Sequence, residues 1–208
     1  MNYHCWCKED QILDKLVNYK TEGFFVDVGA WSPNEESVTR TFYDRGWNGI
    51  NIEPQANRFN ELCQFRKRDI NLNLAVGDTE GELTLYLQDG CTTAVTDYVT
   101  KDTSSITIPM KTLTQILDSF APNEKIDFLK IDVEGYEINV IKGTDWEKYR
   151  PTILCVECTI PTTTIPVWEE WDAILVENDY VLVDENAYNR FYKDVRSSPS
   201  HNLLGDSW

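Results

Sequence analysis

The stretch Gly23-Phe24-Phe25-Val26-Asp27-Val28-Gly29-Ala30-Trp31-Ser32-Pro33-Asn34 decides the fold. Its apolar residues run without alternation into an acid and a glycine. A run of that length and make-up reads as a strand buried on both faces, as in a parallel sheet covered by helices. The loop that follows carries one glycine, Gly29, with Trp31 and Pro33 behind it. A dinucleotide site needs glycines at three fixed places so that a pyrophosphate can approach a helix N-terminus. Glu35 and Glu36 would also repel phosphate, and no Walker-type loop is present. The loop therefore favours a nucleoside ligand that carries no phosphate.

Outward from this strand, helical and β patterns alternate. Helical spacing is expected over 9–19, 36–45, 57–65, 113–120, 137–149 and 168–178. Strands are expected over 49–54, 70–76, 126–132 and 152–157, with an inserted strand at 82–87 and a closing pair at 180–184 and 190–195. Residues 88–109, rich in threonine and serine, show no regular pattern. The reading is a single domain over 1–208, with an N-terminal helical segment (1–22) and a C-terminal tail (196–208).

Nineteen basic against 35 acidic side chains give a formal charge of −16. Long-range repulsion makes nucleic acid and anionic membrane poor partners. The one dense basic cluster, Arg66-Lys67-Arg68, reads as a solvated helix end. No apolar run approaches the ~20 residues of a bilayer span, and Met1 to Asp10 lacks the features of a secretory signal. The expectation is a cytoplasmic protein of unassigned oligomeric state. Cys5, Cys7, Cys63, Cys91, Cys155 and Cys158 do not suggest a disulfide scaffold at this length. A zinc site from Cys5, Cys7, Cys155 and Cys158 is disfavoured, because a continuing strand would point Cys155 and Cys158 to opposite faces. No metal ligands are assigned.

Five β patterns finish in an acid: Asp27, Glu53, Asp78, Asp132 and Glu157. In an open parallel sheet such ends share the edge where ligands bind, although each acid could instead cap the next helix. S-adenosylmethionine suits this edge, having an adenosine, an ammonium group and a sulfonium but no phosphate. Glu53 is placed to accept both ribose hydroxyls, Asp78 to take the adenine amino group, and Asp27 with Gly29 and Ala30 to hold the methionine end.

Several segments carry a family resemblance. They are Val26-Asp27-Val28-Gly29-Ala30, Ser37-Val38-Thr39, the run from Arg45 to Pro54, and Leu74-Ala75-Val76-Gly77-Asp78. Asp127 to Glu137, Arg150-Pro151 and Asn189-Arg190-Phe191-Tyr192 complete the set. Together they resemble FkbM-type S-adenosylmethionine-dependent methyltransferases over about residues 8–193. The resemblance implies a doubly wound, mostly parallel, seven-stranded Rossmann-like α/β sheet with an inserted strand region, and it adds Ser37 and Pro54 to the cofactor-binding set. Two departures stand out: Trp31 to Asn34 replace the second glycine common in such loops, and Cys5 to Asp10 only partly match the family's approach to its first helix.

Methyl transfer to a hydroxyl needs alignment and a base or metal. His4 and His201 are the only histidines and lie in terminal segments. Asp132, Glu134 and Glu157 are the catalytic candidates, as bases or as oxygen ligands for a divalent ion that is left uncommitted. Lys130 reads as an ion-pair partner and Glu137 as structural, in a surface salt bridge. The resemblance implies O-methylation of sugars, glycolipids or hydroxylated natural products, so a small-molecule or glycan acceptor is expected. Trp31, Tyr136, Trp168 and Tyr188 are candidate stacking surfaces. Competing readings are a nicotinamide-dependent oxidoreductase, opposed by the loop, and a cofactor-binding partner domain without catalysis, opposed by the acids at 132 and 134.

Overall fold

The structure, a computed structural model, describes residues 2–88, 91–99 and 103–196. Its centre is β1 (Phe24–Val28), flanked by β2 (Asn48–Ile52) and β3 (Ile70–Leu72) on one side. On the other side lie β8 (Phe128–Ile131), β9 (Ile153–Glu157), β11 (Asn189–Asp194) and β10 (Tyr180–Glu185). The order β10-β11-β9-β8-β1-β2-β3 is parallel from β9 to β3, and β11 runs antiparallel to both its neighbours. The chain winds outward from β1 to β3 and later returns beside β1 as β8. The order thus reverses between β1 and β8, where doubly wound sheets bind ligands.

Strand alternation divides the interior into two cores. Phe24, Val26 and Val28 pack with α4 (Leu113–Phe120), α5 (Glu137–Lys142) and α6 (Glu169–Glu177). Phe25 faces the other way, with Phe128, Ile153 and Phe191, towards α1 (Glu9–Leu16) and α2 (Arg40–Arg45). There Phe42 lies 4.7 Å from Phe128 and 5.0 Å from Trp47, the tilted geometry aromatic rings prefer. Cys155 belongs to this second core and Cys158 to the first.

Several expected elements change length for identifiable reasons. The helix expected over 36–45 begins only at Arg40, because Glu36 has a positive φ of 51° and Ser32 Oγ accepts the Asn34 and Glu35 N–H groups in a turn. The helix expected to reach Tyr149 ends at Lys142, and Asp145 Oδ1 then accepts the Glu147 and Lys148 N–H groups. The single strand expected over 70–76 is two. Asn73 Nδ2 donates to the Glu53 and Pro54 carbonyls at 2.9 Å each, and β4 (Ala75–Gly77) leaves the main sheet.

β4 joins a second, four-stranded sheet ordered β4-β7-β5-β6, with β5 (Gly81–Gln88), β6 (Cys91–Thr93) and β7 (Ser104–Thr112). The segment without a readable pattern thus supplies two strands and a 3-10 turn (Thr96–Tyr98). Arg66 is another correction: it is buried, not solvated, and donates to the Pro33 carbonyl and to Ser37 Oγ. Between α3 (Ala56–Phe65) and β3, it ties the loop after β1 to the sheet edge. Among the described residues no helix is long and apolar enough to cross a membrane.

Gly143, which ends α5, packs tightly on β4 of the second sheet, since a Cβ there would stand 2.0 Å from the Gly77 carbonyl oxygen. Gly143→Ala should cost about 1–3 kcal/mol through overpacking against backbone that cannot move aside. Gly81→Ala, whose Cβ would meet nothing within 4 Å, should be close to neutral. Urea unfolding of both variants checks the contrast; equal midpoints would refute this account of the contact.

Candidate active site

A cavity of about 480 Å³ opens at the carboxyl ends of β1, β2, β8 and β9. Four of the five strand-end acids line it: Asp27, Glu53, Asp132 and Glu157. Strands lie ~4.8 Å apart, so the edge from Glu53 on β2 to Glu157 on β9 spans three spacings. Asp78 is not part of the lining. It follows β4 of the second sheet, is exposed, and accepts a long 3.4 Å hydrogen bond from Asn139 Nδ2. Ala30, Gly29, Pro54 and Glu134 line the cavity, whereas the hydroxyl of Ser37 is engaged by Arg66.

Glu53 is buried at the end of β2. Its Oε2 accepts the Trp31 N–H and its Oε1 the Gln55 N–H, both at 2.8 Å. Burial pushes its carboxyl up to about 7, although the two backbone hydrogen bonds oppose the shift. Each oxygen retains acceptor capacity after taking one N–H. Trp31, in the loop expected to lack a second glycine, has a left-handed backbone, with φ 49°. A non-glycine residue pays about 1–2 kcal/mol for that conformation. The N–H bond to Glu53 and the Arg58 guanidinium, 4.0 Å over the indole, hold it there. Gly29, with φ 81°, admits no side chain, because a Cβ would fall 1.8 Å from the Asp132 carbonyl oxygen.

Lys130 is buried between three oxygens. Its Nζ lies 3.3 Å from Asp27 Oδ1 and 3.3 Å from Asp132 Oδ2, and donates to the Gly29 carbonyl at 2.7 Å. Burial disfavours the ammonium, but Asp132 and Asp27 more than offset it and the net direction is upward. For Asp27, burial raises the carboxyl while Lys130 lowers it. The 3.3 Å contact supports the ion pair as the resting state. Lys130 is therefore an ion-pair partner, as its spacing from Asp132 suggested.

Glu137 departs from the expected surface salt bridge. It is buried, and its Oε1 accepts the Val133 and Gly135 N–H groups at 3.0 and 3.2 Å. It clamps the turn in which Glu134 (φ 56°) and Gly135 (φ 95°) are both left-handed. Burial raises its carboxyl to about 7. Glu157 goes further: burial first, then the nearby Asp132, Glu137 and Glu134 charges, push it well above the usual range. Its Oε2 is sealed from solvent without a hydrogen-bond partner. A proton on Glu157, shared towards Asp132, relieves the crowding of like charges.

Three groups of lining residues had no readable signal. Leu83, Leu85 and Thr92 come from the second sheet and Ala94 from the turn just after it, Cys5, Trp6, Cys7 and Glu9 from the N-terminal segment, and Thr162 from the loop after β9. The partial family match before the first helix was the nearest hint of the second group. Tyr136 and Tyr188 line the cavity, but Trp168 lies outside it under the Arg190 guanidinium, 3.7 Å away. His4 is outside the lining, with Nε2 3.7 Å from Asp44, and His201 falls outside the described residues. Among the described residues, no group of three or more histidine, cysteine or acidic side chains is arranged to hold a metal ion.

A sheet that reverses between β1 and β8, with acids at the ends of four adjacent strands, defines a Rossmann-like α/β fold of the methyltransferase type. Within that class the chain belongs to the FkbM methyltransferase family, whose domain model (Methyltransferase FkbM domain) matches residues 27–182. Among solved structures, the chain is similar to a methyltransferase FkbM from Methylobacillus flagellatus KT, with TM-score 0.55 and 15% identity, over 83% of this chain and 44% of that one. The chain thus spans less than half the length of that relative. A precorrin-6y C5,15-methyltransferase from Geobacter metallireducens GS-15 aligns at TM-score 0.47 and 10% identity, over 88% of this chain and 86% of that one. A SAM dependent methyltransferase from Aquifex aeolicus aligns at 0.46 and 11%, over 90% and 89%. No curated protein sequence matches significantly.

Lys130→Met should destabilise the protein by about 3–5 kcal/mol at neutral pH, since it strands buried Asp27 without its cation. With the lysine gone, the folded-state pKa of Asp27 rises further above its unfolded value, so protonation favours the folded form. The deficit should shrink as pH falls from 7 towards about 4. Urea titrations at several pH values test this; a deficit that grows in acid would contradict it.

Proposed function

We propose that the chain is an S-adenosylmethionine-dependent O-methyltransferase acting on a hydroxyl of a sugar, glycan or glycosylated metabolite. The observation that carries this reading is the pairing, along one cavity edge, of a backbone-held Glu53 with the Lys130–Asp132–Glu157 cluster. The cavity volume lies in the range of small-molecule sites. The residues present suit this cofactor: an acid with spare acceptor capacity for a diol, a tight backbone turn at Gly29, and no cluster of basic groups for phosphate. In this reading Glu53 takes the ribose hydroxyls and Gly29 and Ala30 bound the methionine end, with Asp27 behind them. Pro54, Leu74 and Ala75 flank the base, a part first assigned to Asp78. Ser37 acts indirectly, through Arg66.

When bound, the cofactor supplies an electrophilic methyl group on a sulfonium. The acceptor hydroxyl must lose its proton as its oxygen forms the new bond. Asp132, with its side chain about one-third exposed, receives that proton on a carboxylate oxygen. Lys130 orients it from the buried side and limits its movement. Glu157, already protonated, donates towards Asp132 and keeps the cluster from carrying two adjacent charges. Glu134 borders the same space, and its backbone carbonyl is pinned by the Thr93 hydroxyl at 2.7 Å.

Two results test this reading. Hydroxyl donors are best accepted by the ionised Glu53, so binding of S-adenosylhomocysteine should strengthen from about pH 6 to 8 and level off above. Glu53→Gln should weaken it at least about tenfold and flatten the profile; calorimetry showing unchanged affinity would remove Glu53 from the site. Asp132→Asn should keep most of that affinity but lose methyl transfer by roughly a hundredfold or more, assayed with labelled S-adenosylmethionine and a hydroxylated acceptor library. Near-native turnover would rule out Asp132 as base and as ligand. Chelator sensitivity reversed by a divalent ion would favour the ligand role.

A further inference from the structure

The end of the cavity beyond Glu157 is furnished differently from the end at Glu53. Asn189 pairs in register with Glu157, and Cys158 N–H donates to the Tyr188 carbonyl at 2.8 Å, so Tyr188 stands beside the Glu157 strand end. Facing it is Trp6, with ring centroids 5.8 Å apart and planes at 59°. The backbone on either side of this indole is anchored. Trp6 N–H donates to Glu36 Oε2 at 3.0 Å, and the Cys7 carbonyl accepts Asn186 Nδ2 at 3.0 Å. Yet 71% of Trp6 is exposed, more than any other large hydrophobic residue described. An anchored backbone that presents a large aromatic surface to water at a cavity mouth is arranged for a ligand to cover.

The charges around it narrow that ligand. Glu9, Glu36, Asp132 and Glu134 are among the lining residues, and Glu36 also holds the Trp6 N–H. Among the described residues, the only basic side chain on the lining is Lys130, and it is committed to Asp27, Asp132 and the Gly29 carbonyl. An anionic group would enter against like charges with no free cation to meet it. A neutral ring can lay its C–H face on the aromatic side chains and turn its hydroxyls towards the carboxylates of the lining.

We propose that Trp6 and Tyr188 form the platform of an acceptor subsite that takes a neutral saccharide ring and rejects phosphorylated or carboxylated ones. The subsite rests on the methyltransferase reading for its role as acceptor site, but its binding properties stand apart from it. The N-terminal segment is then a specificity element that completes the cavity from outside the matched family region.

The test uses the full chain, with and without saturating S-adenosylhomocysteine, titrated with methyl β-glucoside, methyl β-galactoside, methyl α-mannoside and methyl β-glucuronide. Saturation-transfer NMR should detect at least one neutral glycoside, with transfer from aromatic protons, and bind the glucuronide at least about tenfold more weakly. Trp6→Ala should weaken the neutral glycoside by about tenfold, Trp6→Phe should restore part of the loss, and affinity for S-adenosylhomocysteine should stay unchanged. Glucuronide binding equal to the neutral form, no neutral binding at all, or indifference to Trp6→Ala would each overturn the subsite. Failure of S-adenosylhomocysteine to bind would instead strike the cofactor reading, while the glycoside titrations without it still judge the platform.

Discussion

At the point where strand order reverses, one buried ammonium must be neutralised, and the site is organised around meeting that demand. Asp27 and Lys130 are register partners on adjacent strands, so their side chains leave the sheet side by side on the same face. Asp132 supplies the second carboxylate from the strand end, and Gly29 the carbonyl. The same row continues through Asn51 and Asn71, which hydrogen-bond each other at 3.0 Å, so a polar line crosses an otherwise apolar sheet. Buried polar groups of this kind are tolerated only when each has its partners. That requirement fixes the relative placement of β1 and β8 and, with it, the mouth of the cavity.

The remaining acids differ in how their burial is compensated. Glu53 and Glu137 each receive two backbone N–H bonds, which hold turns rather than neutralise charge. Glu157 lies among other carboxylates with one oxygen unpartnered, and a proton is its natural counter-charge. One edge thereby carries a cation-held acid, Asp132, beside Glu157, whose carboxyl is pushed well above the usual range by burial and its acidic neighbours. Such separation of neighbouring carboxyls is what acid–base chemistry near neutral pH requires.

The cavity is closed by parts that are peripheral to the sheet. The four-stranded insertion gives apolar walls through Leu83, Leu85 and Ala94, and the segment before α1 gives Trp6 and Cys7. Polar contacts tie these layers to the core: Gln55 Nε2 donates to Thr92 Oγ1 of the insertion at 2.6 Å, and Glu36 Oε2 accepts the Trp6 N–H at 3.0 Å. Apolar packing joins them as well, since Val76 of β4 lies in the first core and Cys5 in the second.

Periodicity in the sequence determined the alternating α/β order, the buried strands at 24–28, 128–131 and 153–157, and the acids that end them, because those signals are local. Local patterns also carried the family resemblance. The same signals could not show that β4 leaves the main sheet, since the side-chain pattern of 70–76 is unbroken and only the Asn73 bonds to Glu53 and Pro54 reveal the turn. Nor could they take Asp78 off the edge, bury Arg66, or bring Trp6 across to Tyr188, a contact between chain ends. Strand register and long-range hydrogen bonds decide these, and both arise only when distant segments meet. The sequence alone therefore specified which residues could serve the chemistry; tertiary packing decided which of them share the cavity.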